Sequence, residues 1–127
     1  MSWRQDHVHF KCSDCQATVR FFQENFGAIE ESRDASGPTL IVTLRIGQVL
    51  YKFSPKKPGE AVDPSTTPVR YGVYHIGLHS DDLRAEVAKM KARGVKFVQD
   101  YLEETPRLKS AFIEGPDGIS IELLQRG

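Results

Sequence analysis

Three residues with metal-binding side chains stand where strand alternation leaves one polar group on an otherwise apolar segment. His7 precedes Val8 and Phe10, His75 lies in VYHIGLH, and Glu122 sits between Ile121 and Leu123 near the C-terminal end. A carboxylate moved into apolar surroundings costs several kcal/mol unless it is paired or coordinated. Glu122 therefore asks for a partner, and a divalent ion held by His7, His75 and Glu122 would supply one. Two imidazoles and a carboxylate, with positions left open, suit catalytic Fe, Mn, Ni, Co or Zn. Each residue also has a plainer reading, since a lone strand histidine is commonly a satisfied surface or core group and a terminal-strand glutamate is commonly exposed. What favours the metal is that one geometric rule selects all three.

Further groups surround this set. His9 and His79 share the strand faces of His7 and His75, and could act as general bases or alternative ligands if they do not simply end at solvent. Arg107 and Lys109, in the segment feeding the last strand, could hold an anionic substrate group or form a solvated face. Cys12 and Cys15 make a single CxxC. A redox role needs a thiolate stabilised at a helix N-terminus, but there is no second CxxC for zinc, so one cysteine ending a strand and one packed in a helix is the favoured reading.

The elements that position these residues come in two copies. Superposing DHVHFKCSDCQATV on YHIGLHSDDLRAEV, with His7 on His75, places Asp14 on Asp82, Ala17 on Ala85 and Val19 on Val87 without a gap. Such self-similarity marks a repeated structural unit. In the first copy, residues 6–12 alternate as a strand, with His7, His9 and Lys11 on one face. Ser13 and Gln16 have the form of a capping box. Val19, Phe22 and Phe26 recur at helical spacing, and Gly27 ends the helix. Strands are expected at 28–33, 40–46 and 49–53. In the second copy a strand spans 73–79 and Ser80 or Asp81 caps a helix with Leu83, Val87 and Met90 on its buried stripe. Strands come next at about 95–100, 108–114 and 119–124.

Each half reads strand, helix, strand, strand, strand. The expected fold is α+β, with two βαβββ modules in one domain (about 5–55 and 72–125) and mixed sheets curved into a cup around a metal or ligand site. The connecting loop, 56–71, is rich in proline and long for a compact domain, which suits a linker that also serves as a lid.

Composition narrows the partners. Lys plus Arg and Asp plus Glu are 17 each in 127 residues, so the balance lacks the basic surplus with which proteins hold nucleic acid or an anionic membrane surface. No segment approaches the roughly twenty apolar residues of a spanning helix, and the N-terminus lacks a signal-peptide core. A cytoplasmic protein that takes a small molecule is expected.

The segments DHVHF, FFQENFGA, YHIGLHSDDL, ARGVKF and GPDGISIELLQ together resemble the vicinal oxygen chelate superfamily of glyoxalase I, bleomycin-resistance proteins and extradiol dioxygenases. The resemblance spans nearly the whole chain. It implies a metal in the cup, with ligands from the first, fifth and last strands matching His7, His75 and Glu122, and it implies a homodimer. A fourth ligand, usually Glu, belongs to the fourth strand. Matching Gly47 to Gly118 puts Tyr51 there, a poor ligand whose phenol has a pKa of about 10. On this reading Val49, Tyr51 and Phe53 make that wall of the cup apolar, and Tyr51 is a donor or general acid toward substrate, or simple packing.

The activity implied is metal-dependent lyase, isomerase or dioxygenase chemistry on a small oxygenated organic molecule. The alternative is a binding protein of the bleomycin-resistance type, which sequesters its ligand without chemistry.

Overall fold

The computed structural model describes residues 2–67 and 69–127, and the chain divides into two compact units, the first ending at Pro64 and the second beginning at Ser65. The first contains β1 (His7–Lys11), α1 (Cys15–Phe26), β2 (Ile29–Asp34), β3 (Ile41–Ile46) and β4 (Val49–Ser54). Its sheet runs β1-β4-β3-β2, with β1 parallel to β4 and the other pairs antiparallel. The second contains β5 (Ile76–His79), α2 (Leu83–Ala92), β6 (Lys96–Thr105), β7 (Leu108–Glu114) and β8 (Ser120–Arg126). Its order is β5-β8-β7-β6, and again only the first pair is parallel. Two βαβββ modules of mixed sheet and helix are thus the observed α+β architecture.

The helices begin one residue further on than the capping box suggests. Asp14 caps α1 by accepting from the Ala17 N–H at 3.1 Å, and Asp82 caps α2 by accepting from the Ala85 N–H at 3.2 Å. Neither Ser13 nor Ser80 nor Asp81 is the cap. Ser80 instead accepts from the Asp82 N–H at 3.1 Å, turning the chain into the helix. A capping side chain must reach an N–H two or three residues ahead. The repeat already paired Asp14 with Asp82 and Ala17 with Ala85, so the cap is a duplicated feature.

Each helix covers one face of its own sheet. Phe22, fully buried, lies within 5.2–6.2 Å of the rings of Phe10, Tyr51 and Phe53, with Leu44 and Val42 also buried beneath α1. In the second unit Leu83, Val87 and Met90 from α2 are buried with Ala111, Ile113, Ile121 and Leu123. The first core is stacked aromatic and the second aliphatic, although Phe22 and Met90 occupy equivalent repeat positions.

Strand β5 is shorter than the alternation suggests. It begins at Ile76, so Val73, Tyr74 and His75 form its irregular approach. β6 is longer, because antiparallel pairing with β7 continues through several register shifts out to Thr105. The proline-rich connection forms neither helix nor strand among its described residues, and Pro68 lies outside them. The connection is nonetheless anchored, since Glu60 pairs with Lys11 at 2.9 Å. Among the described residues no helix is long and apolar enough to cross a membrane.

Candidate functional site

Strand register decides which side chains share a face. In the parallel pair β5–β8, Gly77 lies opposite Glu122 and His79 opposite Leu124, while Ile76 and Leu78 lie opposite Ile121 and Leu123. Ile121 and Leu123 are buried in the α2 core, so Glu122 leaves from the sheet face that α2 does not cover. Glycine at 77 keeps that face open: a Cβ there would stand 3.7 Å from Glu122 Oε1 and 3.4 Å from Leu124. Phe112 is opposite Glu122 on the other side and forms the floor.

His75 completes this corner. Its Nε2 is 3.5 Å from Glu122 Oε1, and each side chain is about a quarter exposed, at 27% and 24%. The ring stands edge-on to Phe112, with centroids 5.2 Å apart and planes at 84°, and Tyr74 packs beside it at 4.5 Å. His75 Nδ1 is buried without a hydrogen-bond partner. The aromatic pair therefore fixes an imidazole whose Nε2 faces a carboxylate at a separation too long for a good hydrogen bond. Two ligands about 2.1 Å from one ion at a tetrahedral angle are roughly 3.4 Å apart, so the donor set and its spacing fit a divalent ion.

In the first unit the register is His7 with Leu50, His9 with Lys52 and Lys11 with Ser54, while Val8 and Phe10 face Tyr51 and Phe53. The histidines lie, as alternation predicts, away from α1. His7 Nδ1 pairs with Asp6 Oδ2 at 2.7 Å, and this bond holds the Asp6 carboxyl below its usual range. With Asp6 accepting from Nδ1–H, His7 keeps Nε2 as a lone-pair donor, the tautomer used when a carboxylate orients a metal-binding imidazole. His9 Nε2 is 2.8 Å from Ser54 Oγ. Burial, then the positive charges of Lys11, His7, Lys52 and Lys57, depress the His9 pKa.

The structure brings His75 and Glu122 together. His7 belongs to the first unit, and among the described residues no group of three His, Cys, Asp or Glu side chains is assembled into a metal cluster. Three other expectations change. Tyr51 is 5% exposed and stacks on Phe10 and Phe22, so it belongs to the α1 core, where burial raises its pKa. Phe53 goes with it, and the expected apolar cup wall of Val49, Tyr51 and Phe53 is not formed. The cause is a one-residue slip. Aligning the two turns on Gly47 and Gly118 matches Tyr51 to Glu122, whereas strand pairing matches Lys52 to Glu122, and a shift of one residue reverses the face.

His79, the second altered expectation, accepts the Arg126 backbone N–H on Nε2 at 3.1 Å, which spends that nitrogen on clamping β5 to the end of β8. Lys109, the third, lies opposite Gln125 and in alternation with the buried Ala111 and Ile113, hence on the α2 side away from Glu122, and Arg107 is in the preceding turn. Cys12 and Cys15 form no disulfide, Cys12 being buried at the end of β1 and Cys15 opening α1.

Asp6, Phe112 and Lys52 were not singled out by sequence. Asp6 has a readable signal, a carboxylate directly before the first histidine. Phe112 and Lys52 emerge only from pairing.

Residues 4–123 match the family described as the Glyoxalase/Bleomycin resistance protein/Dioxygenase superfamily. The chain belongs to this superfamily. A relative of similar length, the uncharacterized protein YwbC of Bacillus subtilis (strain 168), is 30% identical over 129 residues, covering 99% of this chain and 100% of its own. Among solved structures, a glyoxalase family protein from Bacillus cereus superposes with a TM-score of 0.85 at 20% identity, covering 99% of this chain and 95% of that one. The fosfomycin resistance protein FosX from Listeria monocytogenes gives 0.78 at 18% identity, covering 100% and 96%. A FosX variant solved with Mn(II) and a dihydroxypropylphosphonic acid gives 0.78 at 16% identity, covering 100% and 95%. These likenesses establish the superfamily fold for both modules of the chain.

Proposed function

We propose that this chain is a divalent-metal-dependent enzyme acting on a small oxygenated organic molecule, with Fe, Mn, Ni, Co or Zn held by His75, Glu122 and His7. The observation that carries the proposal is the His75–Glu122 pair, 3.5 Å apart on the sheet face opposite α2. The oriented His7, with Nε2 left free by Asp6, supports it from the other module. A FosX variant with a similar fold, solved with Mn(II), supports the reading.

A bound ion would supply Lewis-acid stabilisation of negative charge on substrate oxygens at its open positions. Glu122 contributes the charge that offsets the ion's, and the Phe112–Tyr74 packing holds the His75 ring in place. Asp6 sets the tautomer of His7. His9, with Nε2 on Ser54, is the imidazole placed on the same face as His7 to take or return a proton. A homodimer is part of this reading, as the superfamily resemblance implies. The sequestration alternative loses its support, since Tyr51 and Phe53 lie in the helix–sheet core.

Protein purified without chelator should carry about one transition-metal ion per chain by elemental analysis. His75→Ala, Glu122→Gln and His7→Ala should each remove most of it, and Asp6→Asn should weaken affinity roughly 10–100-fold, the usual loss for an outer partner of a ligating histidine. Wild-type protein without stoichiometric metal, unaffected by His75→Ala, would sink the proposal.

A further inference from the structure

The second sheet carries a hydrogen-bond chain on its side away from α2. Register sets the side each residue takes. Glu122 lies opposite Phe112 and Phe112 opposite Gln99, while Leu124, Ser110 and Leu102 form the next row. Phe97 and Glu103 of β6 take the other side, toward α2, where Glu103 pairs with Arg84 at 3.2 Å and Lys91 Nζ lies over the Phe97 ring. Gln99 Nε2 donates to Ser110 Oγ at 3.2 Å, and Ser110 Oγ donates to Glu104 Oε1 at 2.9 Å. Ser110 is fully buried and Gln99 half-buried.

The polarity of this chain follows from counting donors. A carboxylate only accepts, and a serine hydroxyl has one proton to give. With that proton on Glu104, Ser110 can only accept from Gln99. The amide therefore turns its nitrogen toward Ser110 and its Oε1 away, and Oε1 has no hydrogen-bond partner among the described residues. Two strand spacings, roughly 10 Å, separate Gln99 from Glu122, and Phe112 lies between them.

We infer that Gln99 is a substrate-binding, specificity-determining residue whose Oε1 accepts a hydrogen bond from a hydroxyl or N–H group of the substrate. Ser110 and Glu104 are positioning residues that fix which end of the amide is offered. The inference rests on the proposed function in taking the sheet side opposite α2 as the substrate side. It deepens that reading by naming the substrate class: a molecule with chelating oxygens for the metal at His75 and Glu122, an apolar middle over Phe112, and a donor at its far end.

The test uses full-length protein supplied with Mn(II) and two probes, 4-(2-hydroxyethyl)benzohydroxamate and 4-(2-methoxyethyl)benzohydroxamate. Both chelate through the same oxygens, and the ether keeps an acceptor while losing the donor. Isothermal titration should show wild type preferring the hydroxyl probe by roughly 3–10-fold, the range of one neutral hydrogen bond. Gln99→Leu should bring the two probes within about twofold, by weakening the hydroxyl probe. Glu104→Gln gives a readout that packing alone would not move. Its amide can donate to Ser110, which frees the serine proton for Gln99 Oε1 and lets the Gln99 NH2 turn outward. The preference should then vanish or pass to the ether.

Metal content, followed by elemental analysis, should be the same in both variants as in wild type. Equal affinity of the two probes for metal-loaded wild type overturns the inference alone, as does a hydroxyl preference kept in both variants. Wild type that retains no metal and binds neither probe sinks the metal reading and this inference with it.

Discussion

The first and second modules share topology, cap chemistry and the first histidine, yet differ in what they bury and what they display. Beneath α1 lies a stack of Phe10, Phe22, Tyr51 and Phe53, whereas beneath α2 lie Leu83, Val87, Met90 and aliphatic strand residues. On the opposite faces, the second module offers an imidazole and a carboxylate 3.5 Å apart, and the first offers two histidines beside a lysine. The repeat keeps one backbone plan, which the helix caps and strand pairing enforce, while side chains at equivalent positions differ in chemistry. Comparing equivalent positions across the modules is therefore more informative than reading either one alone.

The sharpest way to break that comparison is through the cores. Phe22→Ala should destabilise by about 3–5 kcal/mol and Met90→Ala by about 2–5 kcal/mol, the usual costs of emptying such sites. Because Phe22 contacts several stacked rings and ring pairs add to burial, its loss should be the larger in urea denaturation. Equal midpoints would mean that the aromatic stack contributes no more than the aliphatic packing it replaces.

The two hairpin turns give the next effect. Gly47 and Gly118 both have positive φ, at 58° and 71°. A Cβ at Gly47 meets nothing, whereas one at Gly118 would fall on the Thr66 carbonyl, with its carbon at 2.8 Å. Gly47→Ala should cost about 1 kcal/mol, the left-handed penalty alone. Gly118→Ala should cost roughly 2–4 kcal/mol, because the Thr66 backbone must also move. Thermal unfolding checks both. Similar losses would show that the connection near Thr66 yields freely and is not held against that turn.

Much of this was legible in sequence because period-two alternation and period-3.6 stripes report burial directly. Val8 and Phe10, Val42 and Leu44, Ile121 and Leu123 all face their helices as their patterns require, and the uncovered placement of Glu122 follows from the last pair. The failure at Tyr51 is one of register. Tyr51 and Lys52 alternate within a strand whose both faces carry apolar residues, so only register tells them apart, and register is set by hydrogen bonding to β1. Matching turns by their glycines assumed equal turn lengths, and the one-residue difference exchanged the faces. Phe112 reaches His75 through pairing with β8, a relation no local pattern expresses.

The smallest effect tests that correction at Tyr51 itself. In the register of the strands, Tyr51 stands where the second module has Ile121, so one core contains an ionisable group and the other does not. Burial raises the Tyr51 pKa above its ordinary value near 10. A raised folded-state pKa means that the folded chain holds this proton where the unfolded chain releases it. The associated stability is fully present below pH 10 and is lost as pH climbs through that value toward the folded pKa. Tyr51→Phe should thus change stability by less than about 0.5 kcal/mol at pH 7, while flattening the decline above pH 10. A difference absorbance titration against the variant should isolate a phenol ionising later than a free tyrosine. Metal content and any turnover should be unchanged, because the ring packs on Phe10 and Phe22 away from the histidine face. A Tyr51→Phe protein that folds normally but loses activity would return this side chain to the substrate side and undo the assignment of that position to Lys52.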